Sequence, residues 1–268
     1  MNPLNTFTSA LPYEFDALEP VLSKETVHLH FIQHHRRCYE RTAAMVKETE
    51  LESIPLESLV RVAGTQRGHR YLFTLAAEAW NHELYWRSLQ PAGGGVASGP
   101  IGQDIQRTFG DFSTFLCRAT EAARAVIGGG WLWVTWRGGR IHVISTGMTD
   151  SPILYGHVPL LAIDLCAHAY YLDYYCDRAS YVSACLTRLI DWGQANERLL
   201  LARHTTSEAQ ESLRWVAWGT PAADTPTALP AVRIASDQIA AHVPSRRRDG
   251  IQASDCTQLV RLRGSHER

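Results

Sequence analysis

The chain has 268 residues, enough for one large or two modest domains with substantial cores. Lys and Arg number 26 against 27 Asp and Glu, and this near-balance removes any global electrostatic argument for a nucleic-acid or membrane partner. No stretch approaches the roughly 20 uninterrupted apolar residues of a membrane-spanning helix, so a soluble protein is expected, with its function to be argued from a site.

The first residues, MNPLNTFTSALPYEF, lack a basic region followed by an apolar one, and the six cysteines (Cys38, Cys117, Cys166, Cys176, Cys185, Cys256) are scattered without CxxC spacing. Both features predict a reducing, cytoplasmic setting with free thiols. From Ser23 to about Glu50, Val27, Phe31 and Val46 recur among polar residues with no Pro or Gly, and Ser23 and Thr26 are suited to cap the start of a long first helix. After a break at SIPLES, a second helical run covers about Leu56 to Leu89, with interruptions expected at Gly64 and Gly68. The two runs predict an antiparallel helical pair.

PAGGGVASGP, residues 91–100, reads as a linker between two packed units. Beyond it, Ile101 to Ala125 has helical spacing. GGGWLWVTWRGGRIHVISTG then alternates around a Gly-Gly turn, which predicts a β-hairpin with strands near 131–136 and 140–146. A further strand, PLLAID, ends at Asp164, and helical periodicity returns over 180–201. From Thr205 on, Thr, Ala, Pro and Ser clusters with a basic triplet at Arg246–Arg248 predict a largely disordered extension, the triplet being read as a solvated charge run. The expected class is α+β: an N-terminal helical hairpin (1–95), a C-terminal mixed α/β domain with a small antiparallel sheet (96–204) and the extension (205–268).

Chemistry-bearing residues fall in two places. His30 and His34 lie four apart on the first helix and share a face, and His82 sits within WNHELYW of the second. Asp164 and His168 flank a short loop after a strand, which can turn a carboxylate and an imidazole toward one centre. Taken singly, none of these exceeds the ordinary occurrence of a core or surface histidine.

Six blocks taken in order say more: LPYEFDALEP, SKETVHLHFIQHH, AAEAWNHELYW, GGWLWV, VISTG and DLCAHAYYLDYY. Their order and spacing, from about Leu11 to Leu201, closely resemble the iron and manganese superoxide dismutase family. The resemblance implies that His30 and His82 from the helical hairpin, with Asp164 and His168 from the α/β domain, hold one Fe or Mn ion per subunit. Three imidazoles and a carboxylate suit a metal cycling between 2+ and 3+, with room for solvent and a small anion. It also implies superoxide as substrate, a homodimer, and His34 and Tyr171 near the substrate gateway.

Several positions depart from the family pattern. The family tunes metal-bound solvent with a glutamine, and the two positions that supply it here hold Glu78 and Thr149. Glu78 is i to His82 at i+4, and an ionised carboxylate accepts hydrogen bonds but cannot donate one. Cys38 stands in place of a gateway tyrosine. Cys166 replaces a tryptophan that walls the site, and Ala167 replaces a glutamate that reaches the partner subunit's ligand histidine, which weakens the expected dimer. Trp80, Trp131 and Trp133 match the family's aromatic cage, and Arg178 matches an arginine near the funnel. The favoured reading is a superoxide dismutase in which Glu78, His34 and Tyr171 serve the site. The rival is a metal-binding paralogue acting as a scaffold or interaction protein.

Overall fold

The computed structural model describes residues 10–217, with side chains through residue 205. The first helix starts where expected. Ser23 caps α1 (Lys24–His28), its hydroxyl accepting from the Thr26 amide at 3.2 Å. The helix then widens into a π-helical stretch over Leu29–His35 before resuming as α2 (Arg36–Val46). Periodicity does not signal that widening. Its hallmark is an i→i+5 bond, here from the Arg36 amide to the Phe31 carbonyl.

The second helical run divides, as its glycines suggest, into α3 (Leu56–Thr65) and α4 (Arg70–Trp86), with a 3-10 turn over Arg67–His69 between them. Helix α4 packs against both α2 and α3. It buries Leu72, Leu75, Ala76, Ala77, Ala79, Leu84, Tyr85 and Trp86, which leaves its polar residues Glu78, Asn81 and His82 no outlet to solvent.

The glycine-rich segment after α4 is a pinned connection. The amides of Gln90, Gly94 and Gly95 donate to the carbonyls of Leu189, Ile190 and Thr187 at 2.7, 2.8 and 2.7 Å. Gly94 has φ +75°, and a Cβ there would collide with the backbone of Thr187 and Arg188, so glycine is required for this approach.

The single helix expected over 101–125 is two, α5 (Gly99–Phe109) and α6 (Phe112–Arg124). Gly110 ends the first at φ +88°, and Asp111 caps the second by accepting from Thr114 at 2.6 Å. The hairpin is as read: β1 (Gly130–Arg137) pairs antiparallel with β2 (Arg140–Gly147) around Gly138 and Gly139, both with positive φ. β3 (Val158–Asp164) pairs antiparallel on the other edge of β1, giving sheet order β2-β1-β3 with Trp131 opposite Asp164.

Two elements after β3 differ from the sequence reading. DLCAHAYY does not stay a loop: Cys166 begins α7 (Ala167–Tyr174), so His168 lies in a helical first turn. Periodicity over 180–201 spans two helices, α8 (Arg178–Arg188) and α9 (Trp192–Ala217), broken at Leu189–Asp191, where the glycine-rich segment docks. Helix α9 continues through 205–217, where SEAQESLRWVA holds no Gly or Pro and many strong helix formers. The rest of the extension, including Arg246–Arg248, lies outside the described residues. One continuous apolar core joins the hairpin residues Val27, Phe31, Tyr85 and Trp86 to Trp131, Leu161, Ile163 and Leu186.

Candidate metal centre

Four side chains converge where α1–α2, α4, β3 and α7 meet. Asp164 ends β3, and one of its oxygens, Oδ2, lies 3.1 Å from His30 Nε2, 3.4 Å from His82 Nε2 and 2.9 Å from His168 Nε2. All four donor atoms fall within 4.8 Å of one another. Asp164 and His82 are fully buried and His30 nearly so, whereas the His168 side chain is 32% exposed and opens the centre on one side.

The carboxylate is prepared for this place. Its Oδ1 accepts the Cys166 amide at 2.8 Å, which fixes the ring of atoms from β3 into α7. Burial alone would raise its pKa, but its close contacts with His168, His30 and His82 hold it well below the usual carboxylate range. Burial pushes His30 down to about 3 against the pull of Asp164, so its ring is neutral with a lone pair to offer. His168 moves the other way: its contact with Asp164 outweighs burial and raises it.

His82 shows how α4 aims a ligand. Its Nδ1 lies 2.6 Å from the carbonyl oxygen of Glu78. A carbonyl can only accept, so Nδ1 carries the hydrogen and Nε2 presents its lone pair to the Asp164 side. Both ring nitrogens of His30 and Nε2 of His82 are buried without a hydrogen-bond partner, as is Glu78 Oε1. Orphaned nitrogens beside a carboxylate are costly unless something accepts their lone pairs, and a metal ion fits that need.

Trp131 meets His82 edge-on at 4.8 Å, while Tyr85 and Trp86 lie 5.3 and 4.7 Å from His30. Of the tryptophans expected in the cage, only Trp131 touches a ligand. Trp133 packs on Trp131 at 5.6 Å and Trp80 on Trp133 at 6.4 Å, forming outer layers. Arg178 is a structural clasp: it donates to the Tyr170 hydroxyl and to the carbonyls of Ala123, Val126 and Gly128, holding the turn before β1.

His34 stacks on His168 at 4.1 Å, with its Nε2 3.5 Å from Glu78 Oε2 and 4.0 Å from Cys38 Sγ. Burial lowers this histidine, but its contacts with Cys38 and Glu78 prevail and raise it to about 9. Glu78 is 7% exposed and faces the site as its spacing from His82 predicts. Tyr171 lies one helical turn beyond His168, exposed, with its ring against Tyr175.

Sequence reasoning missed His35. An α-helix carries residue i+5 about 140° away from i, off the His30 face. The π-helical stretch keeps it there, buried and stacked on His82 at 5.6 Å, and burial with the nearby His82 and His30 drives its pKa well down. Asn81 was also missed. It is fully buried and donates to the Asp150 carbonyl at 3.0 Å, tying α4 to the loop that carries Thr149.

A helical hairpin and an α/β unit closing on three histidines and one aspartate define a mononuclear metal protein. Family models agree at both halves. The alpha-hairpin domain of iron/manganese superoxide dismutases matches residues 7–90, and the C-terminal domain of the same family matches residues 97–198. An iron superoxide dismutase of Synechococcus elongatus is 37% identical over 187 residues, covering 70% of this chain and 93% of the relative. A chloroplastic iron superoxide dismutase of Arabidopsis thaliana is 36% identical, covering 72% and 91%. A Mn/Fe superoxide dismutase of Rickettsia conorii is 34% identical, covering 71% and 91%. The chain belongs to the iron/manganese superoxide dismutase family.

Proposed function

We propose that this chain converts superoxide to oxygen and hydrogen peroxide, with one Fe or Mn ion held by His30, His82, Asp164 and His168. The observation that carries this reading is the meeting of three imidazole nitrogens at one buried carboxylate oxygen, at 3.1, 3.4 and 2.9 Å. When bound, the ion supplies one-electron chemistry between its 2+ and 3+ states.

The chain's own residues do the rest. Asp164 brings a fixed negative charge, and the Glu78 carbonyl sets the His82 tautomer. Tyr85 and Trp86 from α4 and Trp131 from β1 pack on the ligand rings and exclude water there, which strengthens the electrostatics inside. His34, its side chain 32% exposed, stands between the buried ligands and solvent with a proton held at Nε2 by Glu78 and Cys38. This half-exposed position supports His34 as a proton source for a small anion approaching the ligands, as dismutation requires. Glu78 is assigned to tuning the solvent beside the ligands, and Tyr171 to the outer gateway.

A scaffold without activity is not favoured, since relatives matched over nine-tenths of their length are named superoxide dismutases. We further assign the chain to a homodimer formed over α7. His168, Tyr171, Leu172 and Tyr175 are all exposed there, with Leu29 exposed on the adjoining π-helical stretch. Domains over 1–95 and 96–204 follow the same reading. No helix among the described residues is long and apolar enough to cross a membrane, and the five described cysteines are all free, which supports a cytoplasmic setting. The test is to purify the protein, load it with iron or manganese and assay superoxide removal. Removal faster than by the free ion supports the reading, and its absence in loaded protein overturns it.

A further inference from the structure

A cavity of about 690 Å³ lies where α3, α4, β3 and α9 meet. Its apolar lining comes from Trp80, Leu84, Val158, Pro159 and Leu201, of which Val158 is 40% and Leu201 67% exposed. It is also lined by three arginines, Arg61 of α3, Arg87 at the end of α4 and Arg198 of α9, against two carboxylates, Glu57 and Glu83. We propose that this cavity binds a small amphipathic carboxylate, its acid group on Arg198 and Arg87 and its apolar body against Trp80, Leu84 and Leu201.

The charges in the cavity do not balance. Glu57 pairs with Arg61 and Glu83 with Arg87, each at 2.7 Å and one helical turn apart. Arg198 forms no ion pair among the described residues. Its guanidinium donates to the carbonyls of Leu160 at 2.9 Å and Arg87 at 3.1 Å, which holds it in place and uses two of its five N–H donors. Burial and the charge of Arg87 lower its pKa to about 10, while Asp191, Glu197 and Glu83 pull it the other way from beyond ion-pair distance. Burial also raises Glu83, against the pull of Arg87 and Arg198, so one carboxylate serves two guanidiniums. A desolvated cation without a paired carboxylate is costly, and an incoming acid group offsets that cost.

The character of the ligand follows from these walls. One unmatched positive charge suits a monoanion and not a doubly charged phosphate, and a planar guanidinium matches the two oxygens of a carboxylate. The apolar lining takes a hydrocarbon or aromatic body out of water, and the volume falls within the range of small-molecule cavities, about 300–1,000 Å³. Arg61 and Glu57 are half exposed and already matched, so the acid group is assigned to Arg198 and Arg87. Binding here does not depend on the dismutase reading, since no lining residue is one of the four metal ligands.

Octanoate serves as the probe, titrated into the full-length, metal-loaded protein by isothermal calorimetry at fixed ionic strength. Saturable binding of one octanoate per chain is expected. Octanol, the same body without the charge, should bind at least about tenfold more weakly, because a charge-assisted hydrogen bond is lost. Acetate, the charge without the body, should not bind over the same range. Arg198→Gln should weaken octanoate by about tenfold or more and leave octanol unchanged, whereas Arg124→Gln, outside the cavity, should change neither. Should Arg198→Gln fail to fold by circular dichroism, Arg87→Gln takes its place. No octanoate binding, or equal binding of octanol, overturns the site. Octanoate binding that survives the arginine substitution overturns it as well and places the anion elsewhere, the metal centre included.

Discussion

His82 Nδ1 donates to the Glu78 carbonyl oxygen at 2.6 Å, one helical turn back along α4. The same residue that supplies this acceptor through its main chain places its carboxylate 3.7 Å from that nitrogen. Glu78 thereby influences the centre twice, through the backbone by fixing a ligand's tautomer and through the side chain by its charge. Substituting the side chain leaves the first effect intact, which makes the second measurable.

Glu78→Gln should lower the midpoint potential of the metal-loaded protein. An amide at this position would offer a donor to solvent beside the ligands where an ionised carboxylate can only accept, and so would favour the more oxidised state of a bound ion. The rate should move with the potential, by about 10–100-fold. Spectroelectrochemical titration checks it, and an unchanged potential would place Glu78 away from the solvent.

Asp164→Ala should abolish tight metal binding while the chain still folds. The substitution removes the oxygen on which His30, His82 and His168 converge and leaves the Cys166 amide without its acceptor. Elemental analysis after dialysis should find iron or manganese at background, with helical circular dichroism retained.

Ser88→Ala tests the joint between the two halves of the chain. The fully buried Ser88 hydroxyl donates to Leu84 O at 2.6 Å and accepts the Ala162 amide of β3 at 3.1 Å. Removing it strands a buried amide, at a cost of about 1–3 kcal/mol. Urea denaturation should show a lower midpoint with an unchanged slope.

Arg178→Lys should destabilise the protein without loosening the metal. An ammonium cannot span the Tyr170 hydroxyl and the three carbonyls that the guanidinium holds. The expected loss is about 1–3 kcal/mol, with metal content unchanged. Metal loss at full stability would make Arg178 part of the site.

Leu172→Asp should convert the proposed dimer to a monomer in sedimentation velocity. Leu172 is 47% exposed on α7, and a buried unpaired carboxylate is costly at an interface. A monomeric unaltered protein would remove the dimer from the account.

The hairpin and sheet were legible because each rests on local chemistry: Ser23 at a helix start, Gly138 and Gly139 at a turn, alternation through WLWVTW. Helix breaks were harder to read. Gly110 and Asp111 stop one helix and cap the next in two residues, and the break at Leu189–Asp191 depends on main-chain bonds from a glycine segment almost a hundred residues away. At the site, spacing alone offered only single histidines, and ordered motifs were needed to assemble them. His35 escaped because α-helical periodicity turns it outward, and only the π-helical widening brings it back. The meeting of Cys38 with Glu78 at His34 joins two helices and shows only in three dimensions.

The most direct test of the central claim compares metal content and superoxide removal per bound metal in the unaltered protein and in Asp164→Ala. One Fe or Mn per chain and removal well above the free ion are expected in the first, and neither in the second. A chain that holds its metal and removes superoxide equally well without Asp164 would contradict it.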